Sequence, residues 1–142
     1  LRNFLNNLIM DSRKYFRDVN IILECDSNIK ILYSENNLSR IFSNILNNAC
    51  KFGKNVAVNV QMNKKSFNVN FDDDGPGIPN KMKNKIFTPF FKIDSSRNLN
   101  HIGSGLGLSI SKQIVSKIGG RISVQNSKLG GSSFSVMLPL KK

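Results

Sequence analysis

Residues 38–78 read LSRIFSNILNNACKFGKNVAVNVQMNKKSFNVNFDDDGPGI, and the hydrophobic period changes inside this stretch. Leu38, Ile41, Phe42, Ile45, Leu46 and Ala49 recur at i, i+3, i+4, i+7, i+8 and i+11, the spacing that lines one buried face of an α-helix. Gly53 stands where such a helix usually ends. From Val56 the period drops to two. Val56, Val58, Val60 and Met62 point one way, and Phe67, Val69 and Phe71 alternate likewise beyond the polar turn Asn63-Lys64-Lys65-Ser66. Two alternating runs around a polar turn predict an antiparallel hairpin, and a Gly/Pro loop, Asp74 to Pro79, closes it.

Outward from this centre the same rules apply. Leu1 to Phe16 is expected to be helical, with Phe4, Leu5, Leu8 and Ile9 on one face. Val19–Leu23 and Ile29–Tyr33 are expected as short strands around a turn at Asp26-Ser27-Asn28. On the other side, Asn80 to Ile102 has no sustained period and is long for a connection, which suggests a lid. Gly103 to Gly107 is glycine-rich, Leu108 to Ile118 fits a helix stopped by Gly119-Gly120, and Arg121–Gln125 with Ser133–Leu138 alternate as a second hairpin around Gly130-Gly131. Helices set against antiparallel strand pairs imply an α/β two-layer sandwich, with helices on a mixed, mostly antiparallel sheet.

The 142 residues suit one domain, and 39% hydrophobic content is enough for one core. The chain opens on Leu1 rather than Met, as a piece of a longer protein would. No apolar run approaches the roughly 18 residues of a membrane-spanning helix. The net charge is +12, but the basic residues are spread over the chain and no zinc-finger or RNA-binding motif accompanies them, so nucleic acid is not expected as a partner. Abundant Asn, Lys and Ile point to compositional bias as the main source of that charge. Cys25 and Cys50 form no CxxC pair, which reads as two reduced thiols, and the single histidine, His101, leaves no ligand cluster for a structural metal.

Three elements carry chemistry. On the 38–52 helix, an advance of about 100° per residue places Asn44, Asn48 and Lys51 in one stripe beside the apolar face. A carboxamide oxygen can ligate Mg²⁺ and a lysine suits a polyphosphate, although the same spacing describes an ordinary polar flank. Asp72-Asp73-Asp74-Gly75-Pro76-Gly77-Ile78 follows a strand. A carboxylate there can accept from an exocyclic amine while Gly75 and Gly77 let backbone approach closely; a plain polar turn has the same composition. Gly103-Ser104-Gly105-Leu106-Gly107-Leu108 runs into a helix, where freed N–H groups make an anion site. The Walker motif GxxxxGK[ST] is absent, as are HRD and DFG, which excludes P-loop NTPases and eukaryotic-type kinases.

In this order the elements resemble the catalytic domain of sensor histidine kinases, in the superfamily of gyrase B, Hsp90 and MutL with its Bergerat ATP-binding fold, and in flavour the osmosensor-type and PhoQ-like kinases. Asn44 to Phe52 looks like the N box, Asp73 to Ile78 the G1 box, Ile86 to Lys92 the F box, Gly103 to Leu108 the G2 box, and Gly131 to Phe134 with Leu138-Pro139 the terminal strand pair. The resemblance implies that ATP and Mg²⁺ bind here and that the γ-phosphoryl group passes to a histidine elsewhere. Asp73 would accept the adenine amino group, and Gly75, Gly77 and Ile78 would shape the purine pocket. Phe52, where many relatives have Tyr, would pack on the base. Asn48 would ligate Mg²⁺, with Asn44 and Lys51 near the phosphates. Lys92, where Arg is frequent, and Arg97 would reach the phosphates from the lid. Gly103, Gly105, Leu106, Gly107 and Leu108 would present or flank phosphate-binding N–H groups, and Ser132, where Thr is common, would reach the adenine side through water. Phe87, Phe90 and Phe91 are expected as lid anchors, and His101 lacks the neighbours of a phosphate acceptor.

The resemblance further implies that residues 1–17 are the tail of a linker helix from a dimerisation domain and that 18–142 form the catalytic domain, with a lid at about 80–103. The partners it implies are the histidine-bearing dimerisation domain of the same or a partner chain, a response regulator, and a second copy of the full-length protein. The expected location is the cytoplasmic side of an inner-membrane sensor. A gyrase-like hydrolase would need a catalytic glutamate near Asn44, which this helix lacks, and a non-catalytic nucleotide-binding module remains the other reading.

Overall fold

The structure is a computed structural model and describes residues 1–26, 29–92 and 106–141. Its elements run α1 (Arg2–Tyr15), β1 (Asn20–Glu24), α2 (Glu35–Phe52), β2 (Asn55–Met62), β3 (Ser66–Asp73), two single 3-10 turns (Asn80–Met82 and Lys85–Phe87), α3 (Gly107–Lys117), β4 (Arg121–Asn126) and β5 (Ser132–Pro139). The five strands form one sheet in the order β1-β2-β3-β5-β4. The β1–β2 pair is parallel and the other three pairs are antiparallel, so the sheet is mixed and mostly antiparallel, as the sequence predicts.

Strict alternation builds the core. Phe67, Val69, Phe71 and Asp73 of β3 face the helices, and Ser132, Phe134, Val136 and Leu138 of β5 do the same beside them. Onto this face α2 lays Leu38, Ile41, Phe42, Ile45, Leu46, Ala49 and Cys50, all buried. Phe42 is fully buried with Phe71 at 5.8 Å and Phe4 at 6.4 Å between ring centroids. A ring so placed is worth about 3–5 kcal/mol over alanine. The α1 helix adds Leu5 and Ile9 to the same core, and Phe4 and Leu8 pack against it half-buried. Among the described residues no helix is long and apolar enough to cross a membrane.

One expectation needs correction. Ile29–Tyr33 is not a strand. Its alternation serves side-chain burial without a ladder: Ile29 is buried and its carbonyl accepts from the terminal amine of Leu1, while the Tyr33 hydroxyl donates to the Pro139 carbonyl and its ring meets Phe67 edge-on. The Ser27-Asn28 part of the turn expected before it lies outside the described residues. Gly53 caps α2 as expected, at φ −105°. Space is its reason: a Cβ there would lie 2.9 Å from the Asp73 Cβ and 3.1 Å from Asp74 Oδ1.

Candidate functional site

The end of α2, the start of β2 and the end of β3 meet at one corner. Val56 is the register partner of Asp73, so the chain leaving α2 passes directly beside the end of β3. Asp74 ties this corner together. Its Oδ1 accepts from the backbone N–H of Lys54 at 2.7 Å and of Asn55 at 3.0 Å, and its Oδ2 accepts from Asn55 Nδ2 at 2.8 Å. These bonds, the one from the Asn55 backbone foremost, hold the exposed Asp74 carboxyl down at a pKa of about 2.

Asp73, in contrast, is 3% exposed. Oδ1 accepts from the N–H of Gly75 at 2.9 Å and of Ser132 at 3.2 Å, so Oδ2 takes part in neither bond. Burial raises the Asp73 pKa; the two N–H groups oppose that shift, and the neighbouring Asp74 and Asp72 charges reinforce it. Cys50 lies behind it, its thiol pushed up to about 12 by burial first and by the Asp73 charge second.

Glycines let backbone close around this carboxylate. A Cβ on Gly75 would lie 2.7 Å from the Phe52 carbonyl oxygen. One on Gly131 would collide with Asp73 Oδ1 and sit 2.5 Å from the Gly75 nitrogen, while the Gly131 N–H donates to the Asp73 carbonyl at 3.0 Å. Gly77 has φ +75°, which an L side chain rarely adopts. The product is a recess with one oriented acceptor, walled by α2's end, the 73–78 loop and the entry to β5. Phe52 is 46% exposed at its mouth, Ile78 is half-buried against the core, and Ser132 is buried at the start of β5.

A second cluster lies further back along α2. Asn44 Nδ2 donates to the Gly107 carbonyl at 3.1 Å and to Ser111 Oγ at 3.3 Å, and Ser111 Oγ in turn donates to the Ile41 carbonyl at 3.4 Å. Asn44 thus pins the N-terminus of α3, whose first N–H groups have no partner within the helix. From Asn44 to Cys50 the rise along α2 is about 9 Å, and Asn48 stands between, half-buried. One helix therefore joins a buried acceptor at one end to a helix N-terminus at the other. Such a frame fits a ligand with an amine-bearing ring and an anionic tail.

The remaining predicted residues sort plainly. Lys51 is exposed on α2's last turn, Lys92 is exposed after the second 3-10 turn, and Leu106 and Leu108 flank the start of α3, half-buried. Arg97, Gly103 and Gly105, with His101, lie outside the described residues. Sequence reasoning did not single out Gly131, Asp74 with Asn55, or Ser111 as site residues. For Gly131 the signal was a Gly-Gly pair, which reads as a turn.

A sequence profile of the family described as "Histidine kinase-, DNA gyrase B-, and HSP90-like ATPase" matches residues 33–142. The signal transduction histidine-protein kinase BaeS of Escherichia coli is 30% identical over 129 residues, covering 89% of this chain and 28% of that protein. The chain spans well under two thirds of the length of the curated relatives it matches. Among solved structures, the mycobacterial sensor histidine kinase MprB superposes with a TM-score of 0.87 at 27% identity, over 99% of this chain and 95% of that one. The full-length ShkA structure, solved in complex with AMPPNP, superposes with a TM-score of 0.82 at 25% identity, over 99% of this chain and 30% of that one.

Proposed function

We propose, from the premise that this chain belongs to the histidine kinase-, DNA gyrase B- and HSP90-like ATPase family, that it binds Mg-ATP as the catalytic unit of a sensor histidine kinase and presents the γ-phosphoryl group to a histidine on a separate helical domain. The observation that carries this reading is the buried Asp73 carboxylate, held by two backbone N–H groups on one oxygen with the other left for a donor from the ligand.

Each residue's part follows from its place. Asp73 accepts the exocyclic amine of adenine; Gly75, Gly77 and Ile78 shape the floor, Phe52 packs on the base, and Ser132 supports the adenine side through water. Asn44 holds α3 so that the N–H groups at Gly107 and Leu108, beside Leu106, face the anionic tail; the resemblance gives Gly103 and Gly105, outside the described residues, the same part. Asn48, half-buried on α2 between the two clusters, would supply a carboxamide oxygen to Mg²⁺, which when bound would neutralise polyphosphate charge. Lys51, Lys92 and Arg97 add cations around the phosphates. Transfer is then a matter of positioning and charge neutralisation, with the nucleophile outside this chain. The partners of this reading are the histidine-bearing dimerisation domain, the response regulator and a second full-length copy, on the cytoplasmic side of a membrane-anchored sensor.

Calorimetric titration of ATP with and without Mg²⁺, alongside Asp73→Asn, tests the reading. Binding strengthened by Mg²⁺ and weakened at least about tenfold in the variant is expected. A folded wild-type chain that binds no ATP would refute it. Binding without phosphohistidine formation on an added acceptor domain would leave a nucleotide sensor in its place.

A further inference from the structure

The basic side chains are spread evenly along the chain, but the acidic ones are not. Residues 1–74 hold ten Lys and Arg against eight Asp and Glu, whereas residues 75–142 hold eleven against one, Asp94. A lysine-rich composition sets the number of cations; it does not clear acids from the second half of the sequence, where, among the described residues, β4 meets an acid only past its end, Asp72 of β3 accepting from Ser127 Oγ at 2.9 Å. Among the described residues, the one ion pair is Lys14–Asp11 on α1, far in sequence from this half.

This acid-poor half folds into a surface with shape. A hollow of about 550 Å³ lies between the second 3-10 turn and α3, with Phe87 and Pro89 on one wall and Lys112, Gln113 and Lys117 on the other. A second, of about 520 Å³, runs from α3 to β4, where Arg121 and Ser123 line it together with Asn68 and Met137. Lys112 and Ser116 line both, so the two are continuous. The Lys112 ammonium stands 5.5 Å from the centre of the Phe87 ring. Asn68 Oδ1 is a buried acceptor without a partner among the described residues. β4 closes the sheet order, which leaves one side of its backbone unpaired within the sheet. Lys117 is about 15 Å along α3 from Gly107, too far to serve a ligand tail held at that N-terminus.

We propose that this surface docks an extended acidic segment of a partner protein. The segment's backbone pairs with the β4 edge, its carboxylates meet Lys112, Lys117 and Arg121, and an apolar side chain enters the hollow between the Phe87–Pro89 wall and α3. Strand addition supplies the hydrogen bonds and the alternate side chains supply selectivity. The cations set orientation and on-rate. Nucleic acid fits less well: a phosphodiester backbone cannot pair with a strand edge.

Panning a display library of random ten-residue peptides against the whole chain tests this at about 0.15 M salt. The enriched peptides are expected to alternate acidic and apolar residues, and to shift the amide resonances of Arg121–Asn126 and of the second half of α3. They should bind equally well with saturating ATP. The double variant Lys112→Glu, Lys117→Glu, folded by circular dichroism, should bind them at least about tenfold more weakly, and Lys64→Glu in the β2–β3 turn within about twofold of wild type. The proposal is overturned by enrichment of peptides lacking acids, by shifts confined to other elements, by displacement with ATP, by a double variant that binds normally, or by duplex DNA or phosphatidylglycerol vesicles out-competing the peptides.

Discussion

Replacing Gly131 by alanine places a methyl group where the structure already has Asp73 Oδ1, with the Gly75 nitrogen and the Asp73 carbonyl oxygen 2.5 and 2.6 Å away. Two of these atoms are backbone, and the Asp73 carboxylate is buried and held by two N–H groups, so the entry to β5 must move. The movement strains three bonds at once: Gly131 N–H to the Asp73 carbonyl, and Gly75 and Ser132 N–H to Asp73 Oδ1. A hydrogen bond to a charged group is worth about 1.5–3 kcal/mol and a neutral one about 1 kcal/mol. Loss of one charged bond and the neutral bond gives about 3 kcal/mol, or about 10 °C in Tm for a chain of this length. Gly130→Ala is the control. Gly130 has φ +104° and no atom within 4 Å of a built Cβ, so it carries backbone strain alone, about 1 kcal/mol. Urea unfolding of both variants, with ATP titration of each, is the assay. Gly131→Ala should be the less stable and should lose nucleotide affinity at least about tenfold, while Gly130→Ala keeps it. A Gly131→Ala chain within about 1 kcal/mol of wild type, or less damaged than Gly130→Ala, would refute the crowding argument.

Asp73 has its pKa raised by burial, so its ionised form costs stability once pH rises through the native pKa. Asp73→Asn should therefore be at least as stable as wild type at pH 7 by urea unfolding, with the advantage vanishing well below pH 3.8. Asp74 has the opposite sign: its pKa falls from 3.8 to about 2, so its contribution is full above 3.8 and is lost as pH drops toward 2. Acid titration of Asp74→Asn should show a smaller loss across that window than wild type. Asn44→Asp replaces the donor to the Gly107 carbonyl by a carboxylate; a cost of about 2–3 kcal/mol and weaker ATP binding are expected from unfolding and calorimetry. With a pKa of about 12, the Cys50 thiol should resist a disulfide reagent at pH 8 until the chain unfolds, leaving half-buried Cys25 as the reacting thiol; rapid reaction of both would contradict the burial.

What could be read in advance follows from where the information lies. The α2 face and both hairpins were legible because periodicity records which side of an element meets the core, and each has enough residues to show it. Ile29–Tyr33 misled because alternation reports burial of every second side chain and says nothing about a strand partner. Asp73 was legible as a carboxylate at a strand end before glycines. Gly131 was not, since its need for glycine arises from a contact with Asp73, far away in sequence. Asp74 shows the same limit: its partners, Lys54 and Asn55, belong to a corner that exists only once β2 lies against β3.

The placement of β5 between β3 and β4 has a consequence for biosynthesis. The carboxylate at position 73 is enclosed by an N–H group 59 residues later, which leaves about 3–12 s of translation between the two at ordinary elongation rates. Throughout that interval a nascent chain carries β3 with its inner edge bare and its acceptor open to water. That edge is a template for mispairing until the last hairpin emerges to fill it. The recess around Asp73 thus closes only when β5 is made, and a chaperone meeting the chain within that interval would find α2 and the 73–78 loop already synthesised and the carboxylate still open.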